Sequence, residues 1–187
     1  MSSPAKRLSS LAAAVVLAAA APLAGQAADT QTAPDRVSVL GRKDPRLIES
    51  VGAAVRLARQ KLETPGCREV FSDFRDPSGR TLAENLEQTG RTAEDHLRWL
   101  IFYNASNEGV CAHREVVFAT KPESRFIHVC PNQFLEESRD LDHAAALIIH
   151  EELHSLGLGE NPPTSREITR QVMARCGEEV RPRSRRE

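Results

Sequence analysis

Residues 142–160, DHAAALIIHEELHSLGLGE, begin as a helix and end in a glycine-rich turn. Asp142, or Asp140 two residues earlier, is a good N-cap; the Ala/Leu/Ile run after it favours helix, and Gly157 and Gly159 stop it. His150 and His154 lie four residues apart, so on a 3.6-residue helix their imidazoles share one face, one turn above the other, and can grip one metal ion. Glu151 is rotated about 100° from His150 around the same axis. Its carboxylate can flank the ion without ligating it, where a general base for a metal-bound water would sit. Two neutral imidazoles and a carboxylate suit Zn²⁺, with an open fourth position for that water.

His150-Glu151-Glu152-Leu153-His154 resembles the active-site helix of the zincin metallopeptidases. The likeness runs from Leu147 to Glu160 and is similar to the metzincin pattern His-Glu-x-x-His-x-x-Gly-x-x-His, with Glu160 where a third His would stand. Ahead of it, Val129-Cys130-Pro131-Asn132-Gln133-Phe134 resembles the Cys-Pro-x-x-Phe segment of deuterolysin-like enzymes, whose downstream Gly-Thr-x-Asp ligand motif this chain lacks. The resemblance implies a single α+β, zincin-like domain with a small, mostly antiparallel sheet and an active-site helix. It also implies peptide-bond hydrolysis, with His150 and His154 as zinc ligands and Glu151 as the catalytic base.

Two residues compete to be the third ligand. Glu160 has the metzincin spacing, and Gly157 can take the left-handed conformation that returns the chain to the metal. Glu167 lies on a later helix, as does the carboxylate ligand in the thermolysin-like gluzincins, but it is also the far end of a capping box with Thr164.

Working outward, Met1 to Ala27 reads as a signal peptide. Lys6 and Arg7 form its positive region, Leu11 to Leu23 its apolar run, and Gly25-Gln26-Ala27 supplies small residues for cleavage. The alternative is a retained anchor, but the apolar run is short of the roughly 20 residues that span a bilayer. Removing the signal from the 187 residues leaves about 160, one domain's worth of chain, with a slightly negative charge. No basic face with interleaved aromatics is present, so no nucleic-acid partner is expected. The expected partner is a protein or peptide substrate, met by a monomer with no stable membrane insertion, in the periplasm or outside the cell.

The four cysteines, Cys67, Cys111, Cys130 and Cys176, all follow the signal, and an even count in an oxidising compartment points to two disulfides. Cys111 and Cys130 flank an expected hairpin, which favours that pair and leaves Cys67 for Cys176. A structural Cys/His zinc site would want a Cys-x-x-Cys spacing, which is absent.

Residues 28–43 are polar and without period, a mobile leader, and 44–178 form the domain. Asp44-Pro45 opens a helix with Leu47, Ile48, Val51, Val55, Ala58 and Leu62 at core-facing spacing. Cys67 to Phe74 is ambiguous; Thr81-x-x-Glu84 and Thr92-x-x-Asp95 start two short helices. Glu115–Thr120 and Arg125–Cys130 alternate and form a hairpin across Lys121–Ser124, one strand of which borders the cleft and pairs with substrate if the zincin resemblance holds. Thr164 to Cys176 is a final helix and 179–187 a disordered basic tail. His113, His128, His143 and Tyr103 are further polar groups of which none is singled out by spacing, and Asn104-Ala105-Ser106 is read as a surface turn. The competing function is a non-catalytic exported binding or envelope protein that keeps a metal site or a bare helix.

Overall fold

The computed structural model describes residues 37–177. The signal peptide expected over 1–27, most of the expected leader and the tail expected at 179–187 lie outside them. In chain order the elements are β1 (Val39–Gly41), α1 (Pro45–Leu62), α2 (Pro65–Arg68), α3 (Val70–Asp73), α4 (Leu82–Gln88), α5 (Ala93–Trp99) and β2 (Ile101–Asn104). A 3₁₀ turn (Gly109–Ala112), β3 (Phe118–Thr120), β4 (Phe126–Val129), α6 (Pro131–Glu137), α7 (Leu141–Ser155) and α8 (Ser165–Cys176) complete them. The fold is α+β. No helix of the described residues is long and apolar enough to cross a membrane.

The helix starts follow from their caps. Asp44 accepts from the backbone N–H groups of Arg46 and Leu47, with Pro45 in the first turn of α1. Thr81 with Glu84, and Thr164 with Glu167, form reciprocal capping boxes on α4 and α8; Thr92 accepts from Asp95 N–H to open α5. Asp140, rather than Asp142, caps α7 by accepting from His143 N–H. The ambiguous stretch after Cys67 folds as two short helical turns, α2 and α3.

The sheet differs from expectation. Its order is β1-β2-β4-β3; β1 with β2 and β2 with β4 are parallel, and only the β3/β4 hairpin is antiparallel. The sheet is thus mixed rather than mostly antiparallel: the chain leaves β1 through α1 to α5 before returning as β2, a crossover long enough for parallel pairing. The leader expected over 28–43 is also corrected, since Val39–Gly41 pairs with Phe102–Asn104 as an edge strand. Its period is invisible in three residues.

One face of the sheet is sealed: Phe102, Ile127 and Val129 are at most 1% exposed and Phe118 is nearly so. The opposite face carries Leu40, Tyr103, Phe126 and His128, all partly open to solvent. Under the sealed face runs α7, packed by α1, α8 and β3 and buried on nearly every side from Ala144 to Ser155. It is the central helix rather than an amphipathic surface one, so its polar residues must each have a partner or a task.

Two disulfides, Cys67–Cys176 and Cys111–Cys130, staple the domain, and no cysteine of the described residues is free. They fit an oxidising compartment. The first joins α2 to the end of α8; the second joins the 3₁₀ turn to the start of α6.

Candidate metal centre

The helical period of α7 sets His150 above His154, with ring centroids 4.8 Å apart and Nε2 atoms 2.9 Å apart. At the end of α7 the chain reverses through Gly157, whose φ of +104° favours glycine. A Cβ there would also sit 3.5 Å from that of Asp76. Asn85 holds this turn by donating to Asp76 Oδ2 at 3.0 Å and to the Leu156 carbonyl at 2.9 Å. The reversal delivers Glu160, whose Oε1 lies 3.3 Å from His154 Nε2 and 3.7 Å from His150 Nε2. His150, His154 and Glu160 thereby form a group that could hold a metal ion.

The donor set passes a simple test of fit. Ligand atoms at 2.0–2.1 Å from a tetrahedral ion lie about 3.3 Å from one another, and the separations of 2.9, 3.3 and 3.7 Å straddle that spacing. The far side of each imidazole is tied as well. His154 Nδ1 donates to the Leu158 carbonyl at 2.7 Å, which leaves a lone pair on Nε2 of the neutral ring. His150 Nδ1 meets the Thr169 hydroxyl of α8 at 2.8 Å. Burial, with a smaller contribution from His154, pushes the His150 imidazole down to about 3, so at neutral pH it is uncharged and competent to ligate.

Glu151 is almost fully buried on the adjoining flank of α7. Burial raises its carboxyl to about 7, against the opposing pull of His154 and of the neighbouring Thr120 hydroxyl. Glu151, His154 and Glu160 face a cleft of about 830 Å³, walled on the other side by β3, including Phe118 and Thr120. Among the described residues β3 is the sheet's last strand, with β4 on one side and no strand on the other.

Glu167, the rival third ligand, is occupied elsewhere: Oε2 accepts from Thr164 N–H at 2.9 Å and from its hydroxyl at 2.8 Å, at the exposed start of α8. His143 pairs with Glu137, His113 lies out in solvent near Glu115, and the Tyr103 ring packs at a tilt against His128 on the open face of the sheet. None of these joins the His150 group.

On the side of α7 turned from the cleft, Glu152 is fully buried and its Oε1 lies 3.3 Å from His96 Nδ1. Burial drives Glu152 well up and His96 down to about 4, which makes this an uncharged hydrogen bond rather than an ion pair. Thr169, the Leu158 carbonyl and Asn85 are absent from the sequence reading. Thr169 and Asn85 act from α8 and α4, 19 and 71 residues away, while the Leu158 carbonyl lies four residues on, in the turn that follows α7.

The chain matches no protein-family model, no curated protein and no solved structure.

Proposed function

We propose that this chain is an exported zinc-dependent peptidase of zincin type, acting in the periplasm or outside the cell. The observation that carries it is the meeting of a buried, base-like Glu151 with a metal-competent His150–His154–Glu160 group along one cleft. A zinc ion held by that group would supply a Lewis acid for the scissile carbonyl and a water of lowered pKa.

The protein residues supply the rest. The edge of β3 away from β4 offers main-chain donors and acceptors to an extended peptide and lays its backbone across the cleft. Glu151 takes the proton of the attacking water on a carboxylate oxygen and passes it to the amide nitrogen as the C–N bond breaks, leaving a carboxylate and an amine. Its position near neutrality suits both halves of that task. The Thr169 hydroxyl and the Leu158 carbonyl hold the two rings in ligating orientation.

The test is elemental analysis of the mature protein purified without chelator, beside a His150→Ala/His154→Ala variant and a Glu151→Gln variant. About one zinc per chain is expected in the wild type and in Glu151→Gln, and none in the double variant. Turnover of a protein substrate should vanish in Glu151→Gln. Full activity in that variant, or a wild type that takes up no metal at neutral pH, would sink the proposal.

A further inference from the structure

The cleft has a second flank that hydrolysis leaves without a task. Its walls include Glu108, Val110 and Val116 from the segment between β2 and β3, together with His128 of β4. His128 Nδ1 donates to Glu108 Oε2 at 2.8 Å, and both side chains are a little over one-third exposed. A carboxylate has several acceptor positions, so Oε1 remains to take a further donor.

Strand register says which substrate side chain would reach it. Ala119 stands opposite His128, and Thr120 opposite Ile127. Opposed residues share a face and successive residues alternate, so Thr120 belongs to the sealed face above Glu151, while Ala119 and His128 belong to the open face. An extended peptide added to the edge of β3 away from β4 continues that alternation. Its residue level with Thr120 points towards the metal group, and its neighbour level with Ala119 points to the open face. There the small Ala119 leaves a path over β3 towards the next strand, about 10 Å from the peptide. A long side chain can take that path, covered along its stem by Val110 and Val116, and a positive end would meet Glu108.

We propose that this outer flank is a subsite for a lysine or arginine side chain, with Glu108 as its counter-charge and His128 holding Glu108 in place. Two residues beyond Ala119, just past the end of β3, Lys121 lines the same cleft and carries the opposite sign. A basic residue is therefore favoured at one position of the substrate and not two residues further along. This inference rests on the peptidase reading for the nature of the ligand, a peptide laid along β3.

The experiment uses quenched fluorescent peptides in which lysine, norleucine or glutamate is placed in turn at each of six positions around the scissile bond. Cleavage by the wild type, Glu108→Gln and Glu108→Lys is compared as ratios of kcat/KM. At one position the wild type should prefer lysine to norleucine about fivefold, as for a partly exposed charge pair. The ratio should fall towards one in Glu108→Gln, and Glu108→Lys should favour glutamate there. The same peptides are then titrated by fluorescence anisotropy into zinc-loaded Glu151→Gln protein, with and without Glu108→Lys, which reads binding without turnover. A basic preference that survives both Glu108 substitutions, or none at any position, overturns the subsite. Glu108-dependent binding of basic peptides that the wild type never cleaves would leave the subsite standing and remove the peptidase reading.

Discussion

In the metal-free protein, Glu151 works against the fold at neutral pH, and Glu151→Gln should be the more stable protein there. Burial raises the folded-state carboxyl from 4.5 to about 7. A group whose folded pKa lies above its unfolded one contributes fully below the unfolded value, and that contribution is lost as pH rises through the folded value. Between pH 4.5 and 7 the folded chain therefore loses stability through this one group. At 1.36 kcal/mol per unit the loss by pH 7.5 is up to about 3 kcal/mol. Glutamine has nearly the same shape and no charge to bury, so it avoids the loss. Urea unfolding in the presence of chelator should show Glu151→Gln more stable than the wild type by up to about 3 kcal/mol at pH 7.5. At pH 4, where the carboxyl is protonated in both states, the two should agree within about 0.5 kcal/mol. A variant no more stable than the wild type at pH 7.5, or one shifted equally at both pH values, would refute the reasoning.

Thr169→Val removes the hydroxyl that meets His150 Nδ1 while keeping the shape of the side chain. Zinc affinity, measured by competition with a chelating dye, should fall about tenfold to a hundredfold, while the metal-free protein changes by only about 1 kcal/mol. An unchanged affinity would mean that the hydroxyl does not orient the ring. The two disulfides should differ in worth, since one spans 109 residues of sequence and the other 19. Loop-closure entropy puts Cys67–Cys176 at about 5 kcal/mol and Cys111–Cys130 at about 3 kcal/mol. Denaturant unfolding of the paired Cys→Ala variants measures both, and the reverse order would show that native contacts, not chain entropy, set the cost.

What the sequence makes legible is local. Asp44-Pro45, Thr81 with Glu84, Thr92 and Thr164 with Glu167 place helix starts because caps act across three residues. The shared face of His150 and His154 follows from helical period alone, and the turn at Gly157 from glycine's freedom at positive φ. Alternation in 115–120 and 125–130 found the hairpin. The pairing of cysteines followed once that hairpin was in view.

Tertiary structure decided whatever joins distant segments. Three residues of β1 are too few to show a period, and only docking beside β2 makes them a strand. Parallel pairing of β2 with β4 depends on the path of the chain between them, which no residue spells out. In one dimension spacing favours Glu160, with Glu167 as its rival. In three, the reversal at Gly157 brings the first to the imidazoles, while the capping box keeps the second at the head of α8. Thr169 behind His150, Asn85 under the turn and Glu108 beside His128 lie 19 or more residues from their partners. Sequence determines α1, α4, α5, α7, α8, the hairpin and the residue types available for chemistry, because those are set by neighbours within a turn or a strand pair. Which of those residues meet, and from which side, is set by how α7 is packed between α1, α8 and the sheet.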